Sequence, residues 1–159
     1  MILKASILIF VAYITAIFSC TKCPRSISHS FYTFNKLKKG LGNIFTFWMI
    51  SLMFLLAVQV LDASQGKWFQ FIGFSAVASL GFIGVAPYFK SNERIVHSVA
   101  AICAAVFGVL WIALMGYWFI PLVMLLAVLV IIKTSKHHFI FWGEIAIFIS
   151  IFIVLKIVS

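Results

Sequence analysis

One acidic residue, Glu144, lies inside an apolar stretch near the end of the chain, FIFWGEIAIF at positions 139–148. An ionisable side chain within a membrane span costs on the order of 2.5–3.5 kcal/mol on insertion scales, and such side chains usually face a bundle interior or a cavity. Glu144 is therefore the first candidate for binding a ligand or a proton. Two structural alternatives stay open: a carboxylate near enough to the headgroups to reach water, or one that makes a purely structural hydrogen bond.

Three further polar side chains are predicted at a similar depth. His97 is the only histidine inside an apolar run, Tyr88 ends one run, and Thr46 begins another. At about 1.5 Å rise per residue, His97 lies roughly 3 Å and Glu144 roughly 8 Å inside the runs that contain them. The sequence thus predicts a polar layer of Glu144, His97, Tyr88 and Thr46 in which the first two are close enough to interact.

Carboxylates are too few for most enzymatic sites. The acidic residues are Asp62, Glu93 and Glu144, no two are close in sequence, and no glycine-rich phosphate loop precedes a helix. A serine nucleophile would need a base and a group that orients it. We therefore predict no catalytic residue, and a membrane-embedded lipid-modifying enzyme is the weakest of the functional hypotheses.

Side chains that could hold a metal ion or a cofactor are also few. Cys20, Cys23 and His29 offer three ligands, whereas structural zinc takes four. A haem held by His97 and His138 would be chemically reasonable, but His138 adjoins lysines at a water boundary, where polar residues are expected anyway. The sequence predicts neither a metal nor a cofactor.

The elements that position these residues are predicted to be membrane-spanning helices in one all-α domain covering 1–159. The chain has 159 residues, is 65% hydrophobic and only 9% charged, and has a mean hydropathy of +1.21. A soluble domain is about a quarter charged, and a spanning helix needs about 20 apolar residues. Six runs meet or approach this length: 2–18, 44–61, 68–89, 95–115, 119–132 and 139–158. If the hairpin of the fourth and fifth runs were re-entrant, the count would fall to four.

Basic residues predict the orientation. The connections after the first, third and fifth runs carry nine of the twelve lysines and arginines. Because such residues favour the cytoplasmic side, these connections are predicted to be cytoplasmic and both termini to lie outside a bacterial cytoplasmic membrane. Cys20 follows an apolar run as in a lipoprotein signal, but the basic residues after it resist export, so the first helix is predicted to be uncleaved.

The first connection carries an amphipathic pattern over 26–41. Its apolar residues recur every three or four positions, which is one face of a helix, and basic residues lie off that face. The sequence predicts an interfacial helix that contacts anionic lipid headgroups on the cytoplasmic side, with an irregular basic loop as the alternative. The net charge of +9 is attributed to this contact and not to nucleic acid. The predicted headgroup contacts are Arg25, Lys36, Lys38 and Lys39.

Small residues predict the packed centre. Ala100, Ala104 and Gly108 recur every four positions in the fourth run, and the third run contains GFSAVASLGFIG. Such stripes let membrane helices approach closely, so these two runs are expected at the centre, and Ala104→Leu is expected to disrupt it. The first, fifth and sixth runs are bulkier and are expected to face lipid, including Phe148. The same stripe could instead form a homo-oligomer interface.

Five short motifs carry a family resemblance: CPRSISHSFY, GFIGVAPYFK, VHSVAAICA, WFIPL and FWGE. Together they resemble a group of small six-span membrane proteins of gut-type bacteria and their phages. The resemblance favours Pro87, His97, Pro121 and Glu144 as features of the group's pattern. It implies no activity, so it assigns no site residue.

The preferred functional hypothesis is an integral membrane protein that binds or moves a small ligand, a lipid or protons through a polar pocket facing the cytoplasm. The main alternative is a membrane interaction protein, such as a phage-associated immunity, exclusion or membrane-perturbing factor. A ligand between the third, fourth and sixth runs would favour the first hypothesis.

Overall fold

The regular elements of the protein are helices throughout the part of the chain that the computed structural model describes, residues 1–20, 24–134 and 139–159. Seven α-helices fall in these ranges. Five of them are long and apolar enough to cross a membrane when the turns that continue α4 to Tyr88 and α5 to Tyr117 are included, whereas α6 has 16 residues and no such extension. The predicted all-helical membrane bundle is confirmed at this level. The helices are α1 (Ile2–Cys20), α2 (Ser30–Leu37), α3 (Asn43–Ala63), α4 (Gln70–Val85), α5 (Glu93–Ile112), α6 (Phe119–Thr134) and α7 (Phe139–Val158).

Five helices form a closed series of neighbours. α1 packs on α3, α3 on α4, α4 on α5, α5 on α7, and α7 on α1, while α6 packs mainly on α7 from outside. α1 and α3 run in opposite directions, since Gln59 near the end of α3 donates a 2.8 Å hydrogen bond to Ser6 near the start of α1. At the same end, Lys67 Nζ lies 3.2 Å from Met115 Sδ.

The bundle therefore has two distinct ends. What we call the terminal end holds both chain termini and residues 64–69 and 113–118. The loop end holds residues 24–42 and 86–92 together with the beginnings of α5 and α7. The four candidate polar residues lie at the loop end or in the helix turns next to it: Glu144, His97, Tyr88 and Thr46.

Glycines on α4 allow its neighbours to approach closely. A Cβ added to Gly84 would lie 2.8 Å from the Cβ of Met49 on α3. One added to Gly73 would lie 2.6 Å from side-chain atoms of both Trp111 and Val60. These distances are too short for a real Cβ, so the contacts of α4 with α3 and α5 depend on small residues, as the sequence of the third run predicts.

The expectation that the last run faces lipid is wrong. Half of the most apolar window of α7 is buried, the largest share among the five long helices. Phe148 is only 7% exposed, and its ring centroid lies 5.0 Å from that of Phe10 and 6.3 Å from that of Trp48. α7 contacts α1, α3, α5 and α6. By contrast, α6 exposes most of its described side chains, as expected of a lipid-facing helix.

The amphipathic segment forms a shorter helix than predicted. The prediction covered 26–41, whereas α2 spans Ser30–Leu37. The helix ends where Asn35 Oδ1 accepts hydrogen bonds from the N–H groups of Gly40 and Gly42, at 2.9 and 3.0 Å. Gly40 has a φ of 93°, a value that favours glycine.

The apolar face of α2 packs on protein. Phe34 is 6% exposed, and its ring lies 6.1 Å from that of Tyr13 on α1. Ile27, just before the helix, is 3% exposed, whereas Leu37 at its end is 61% exposed. The predicted stripe therefore covers the end of the bundle, and only its last turn is free to meet lipid.

Candidate ligand-binding site at the loop end

Glu144 is held by the backbone of the first connection. The N–H of Ile27 donates a hydrogen bond to Glu144 Oε2, with a nitrogen-to-oxygen distance of 2.5 Å. Ile27 lies just before α2, where backbone N–H groups lack partners within the helix. A carboxylate is a strong acceptor for such a group. Glu144 thus links α7 to the chain that leads into the first residue of α2. We call this stretch, residues 24–30, the 24–30 segment.

His97 holds the adjacent residue of the same segment. Its Nε2 atom lies 3.1 Å from the hydroxyl of Ser28. Ser28 in turn lies 3.0 Å from the hydroxyl of Ser26, which accepts a hydrogen bond from the His29 N–H. Within the described chain, no hydrogen bond joins Glu144 directly to His97. The predicted pair is therefore brought together through two consecutive residues, Ile27 and Ser28.

A third attachment ties the segment to α1. The Ser30 hydroxyl donates to the Ile27 carbonyl at 2.5 Å, so it accepts the proton of the Tyr13 hydroxyl, 2.6 Å away. The Tyr13 ring stacks on Trp48, with ring centroids 4.0 Å apart. The 24–30 segment is thus fixed to α1, α5 and α7. The sequence alone did not predict Tyr13, Ser28 and Ser30 as residues of the site. The alternating serines at 26, 28 and 30 are the one local signal that this connection hydrogen-bonds to several helices.

The other two members of the predicted polar layer lie elsewhere. The Thr46 hydroxyl donates to the Gly84 carbonyl at 2.8 Å and joins α3 to α4. The Tyr88 hydroxyl donates to Asn43 Oδ1 at 2.8 Å on the exposed rim. Neither side chain hydrogen-bonds to Glu144 or His97 in the described residues. They stabilise the packing around the site and are not part of it.

An apolar cavity of about 90 Å³ lies beneath the 24–30 segment, between α3, α4, α5 and α7. We call it the inner cavity. Apart from Glu144 and Ser28, the residues that line it are apolar. They include Phe45, Ala76, Leu80, Ala104, Ile147 and Phe148.

A second, more polar cavity of about 240 Å³ lies on the other side of Ser28. We call it the vestibule. Ser28 lines both cavities, so the 24–30 segment forms part of the wall between them. Most of the side chains that line the vestibule carry hydroxyl, imidazole or charged groups, among them Ser26, His29, Tyr32, Glu93, Arg94 and His97.

One acidic and one basic side chain line the vestibule. The pKa of His29 is lowered from its usual value of 6.5, first by burial and then by the positive charges of Arg25 and Lys36. His29 is therefore mostly uncharged at pH 7. The remaining fixed charges on the wall, those of Glu93 and Arg94, are opposite in sign.

The small-residue stripe of α5 faces the cavity and α7. Ala104 lines the inner cavity, and Ala100 is buried at 6% exposure. A Cβ added to Gly108 would lie 3.7 Å from Ile151 on α7, an ordinary contact distance. The stripe therefore leaves room within the bundle, so an enlarged Ala104 side chain has space that a tight helix seam would not offer.

The basic residues assigned to lipid headgroups are exposed at the loop end. Arg25, Lys36, Lys38 and Lys39 are all solvent-accessible in the absence of lipid. Cys20 is also exposed, at the end of α1. Cys23, His137 and His138 lie outside the described residues, and the cysteine pair and the haem pair depend on them. The described part of the chain contains no group of three or more residues able to hold a metal ion.

Comparisons of the chain with protein-family models, with curated proteins and with solved structures found no match. The site combines an apolar chamber, one carboxylate that lines it and a more polar vestibule beside it. The serines and His97 supply hydrogen bonds.

Proposed function

We propose that this protein crosses the bacterial cytoplasmic membrane six times and binds a small ligand in the inner cavity, which the ligand reaches from the cytoplasm through the vestibule. The observation that carries the proposal is the position of Glu144, a carboxylate lining an otherwise apolar cavity at its border with the vestibule. An ionisable residue within a span is by default a functional-site hypothesis. The apolar chamber next to it supplies the volume that a ligand would fill.

The sixth span of this proposal is α6. Its 16 residues extend about 24 Å, somewhat less than the roughly 30 Å hydrocarbon core. Local thinning of the bilayer accommodates such a mismatch at modest cost. Most lysines and arginines lie at the loop end. Because cytoplasmic loops of membrane proteins carry an excess of these residues, the loop end is favoured as the cytoplasmic one.

The orientation predicts how cysteines react in whole cells. In a Cys103→Ser background, Cys20 and Cys23 should react with an impermeant maleimide only after the cells are permeabilised. Ser159→Cys, which lies exposed at the terminal end, should react in intact cells when introduced into a variant without the other cysteines. The opposite labelling pattern would reverse the orientation and place the vestibule outside the cell.

The exposed lysines of α2 and the turn after it predict a preference for anionic lipid. A lysine near an anionic surface contributes about 1 kcal/mol, and salt screens the interaction. The triple variant Lys36→Gln, Lys38→Gln, Lys39→Gln should therefore bind phosphatidylglycerol several-fold more weakly, as measured by native mass spectrometry of the protein with titrated lipid. Lys67→Gln at the terminal end is the control and should have little effect. Equal lipid binding by the triple variant and the original protein would rule out this contact.

Binding in the inner cavity is tested with small probes that each contain four carbons and differ in their head: n-butylammonium, 1-butanol and butyrate. At least one of them should raise the melting temperature of the detergent-purified protein with saturation, because a ligand that binds only the folded state stabilises it. Ala104→Leu should abolish this response, since the cavity holds roughly three waters' volume and the larger side chain would occupy it. If no probe distinguishes the protein from Ala104→Leu, the proposed function is wrong.

A further inference from the structure

We infer that the ligand of the inner cavity is a small primary amine in its protonated form, with its ammonium group on the Glu144 carboxylate and its short apolar chain inside the cavity. The inference rests on the proposed function, because it names the class of ligand for the same cavity. Four properties of the cavity carry it: the distribution of polar groups, the unused acceptor, the missing counter-charge and the volume.

Polar groups are confined to one end of the cavity. Glu144 and Ser28 lie beside the 24–30 segment, and the other lining residues are apolar. A buried water needs two to four polar partners, so water filling this cavity would be satisfied only near its mouth. The lining is complementary to a molecule with a single polar head and an apolar body.

The head of a molecule that binds the ionised form of Glu144 must donate hydrogen bonds. Glu144 Oε2 accepts from the Ile27 N–H, and no described residue donates to Oε1. An ionised carboxylate is an acceptor only, whereas an ammonium group has three donors and no acceptor. A second carboxylate as head would offer no donor and would repel Glu144, so anionic amphiphiles do not fit.

The site also lacks a positive charge. No described lysine, arginine or histidine forms a salt bridge with Glu144, whose hydrogen bond from the described chain is that of Ile27. An uncompensated buried charge is strongly destabilising, and an opposite charge with good geometry offsets the cost. Phe45 and Phe148 also line the cavity, and aromatic rings attract cations. A cation would therefore complete the site, whereas a neutral alcohol would satisfy only the hydrogen bond.

The volume limits the apolar body. A cavity of 150 Å³ in another protein takes up benzene, so the 90 Å³ of the inner cavity suits a chain of about four carbons. The charged side chains that line the vestibule, Glu93 and Arg94, are opposite in sign, and His29 is mostly uncharged at pH 7.

The test compares the heads of the three four-carbon probes on the full-length protein in detergent at pH 7.5. We expect n-butylammonium to bind at least tenfold more tightly than 1-butanol and butyrate to show no binding. Glu144→Gln keeps an acceptor for Ile27 but loses the charge, so it should weaken n-butylammonium at least tenfold and 1-butanol much less. N-butylacetamide, which has the same chain without the charge, makes the same comparison on the unmodified protein if the variant does not fold.

The outcomes separate the inference from the proposed function. If 1-butanol or N-butylacetamide binds as tightly as n-butylammonium, or if Glu144→Gln retains full affinity for n-butylammonium, the amine is wrong, although a small-ligand site sensitive to Ala104→Leu would stand. If none of the probes binds to the unmodified protein, both the amine and the proposed function fall.

Discussion

Phe148→Ala should lower the free energy of unfolding by about 2–3 kcal/mol, although the residue lies in a run that reads as lipid-facing. Phe148 is 7% exposed and contacts Phe10 of α1 and Trp48 of α3 through ring pairs. Removing the ring leaves a void where three helices meet. This loss is smaller than the roughly 3–5 kcal/mol typical of buried Phe→Ala substitutions in soluble proteins. The unfolded chain also lies in an apolar solvent, so mainly packing is lost.

The matched control for this substitution is Phe47→Ala. Phe47 lies on α3 and is 75% exposed, so in a membrane its ring contacts lipid and its removal should change stability by less than about 0.5 kcal/mol. Reversible unfolding in mixed micelles, followed by tryptophan fluorescence, measures both variants. Equal losses for Phe148→Ala and Phe47→Ala would contradict the central position of α7.

Helix positions were predictable because the membrane constrains them strongly. Backbone groups in hydrocarbon must be satisfied within the chain, so a long apolar run becomes a helix. The last run was predicted at 139–158 and α7 spans Phe139–Val158; the second was predicted at 44–61 and α3 spans Asn43–Ala63. Differences are confined to the ends, where a helix is a few residues longer or, as for α4, shorter than predicted.

Helix faces were not predictable in the same way. In water, burial follows hydrophobicity, but lipid tails are as apolar as leucine, so a bulky residue such as Phe148 suits lipid and protein equally well. The glycines of α4 were informative because they act through shape: Gly73 and Gly84 permit contacts that a Cβ would block. Small residues therefore indicate a contact, whereas large ones do not indicate exposure.

The candidate site shows the same division between depth and direction. Helical rise fixes how deep a residue lies, so Glu144 and His97 were both expected near the loop end, where the structure has them. Rise does not fix the direction in which a side chain points, and Thr46 and Tyr88 turn to other partners. The group that donates a hydrogen bond to Glu144 is the backbone N–H of Ile27. Every residue but proline has such a group, so no residue type could have signalled it.

Glu144→Ala should cost about 2 kcal/mol of stability, and Glu144→Gln less than about 1 kcal/mol. Alanine removes the acceptor of the Ile27 N–H, and the Ile27 side chain above it is buried. A buried donor without a partner costs about 1–3 kcal/mol. Glutamine retains a carbonyl oxygen at nearly the same position. Asp62→Ala, which removes an exposed carboxylate at the terminal end, is the control and should be nearly neutral.

The same variants show whether the 24–30 segment acts as one unit. His97→Ala releases Ser28, the residue next to Ile27. In a double-mutant cycle, the stability lost by the double variant should therefore be smaller than the sum of the losses of His97→Ala and Glu144→Ala by more than about 0.5 kcal/mol. Hydrogen exchange at the Ile27 amide provides a direct measurement, since its protection should fall in Glu144→Ala and persist in Glu144→Gln. Equal protection in the two variants would show that the carboxylate does not hold this amide. Additive losses would mean that Glu144 and His97 fix the segment independently, so that releasing one of them would not open the wall between the vestibule and the inner cavity.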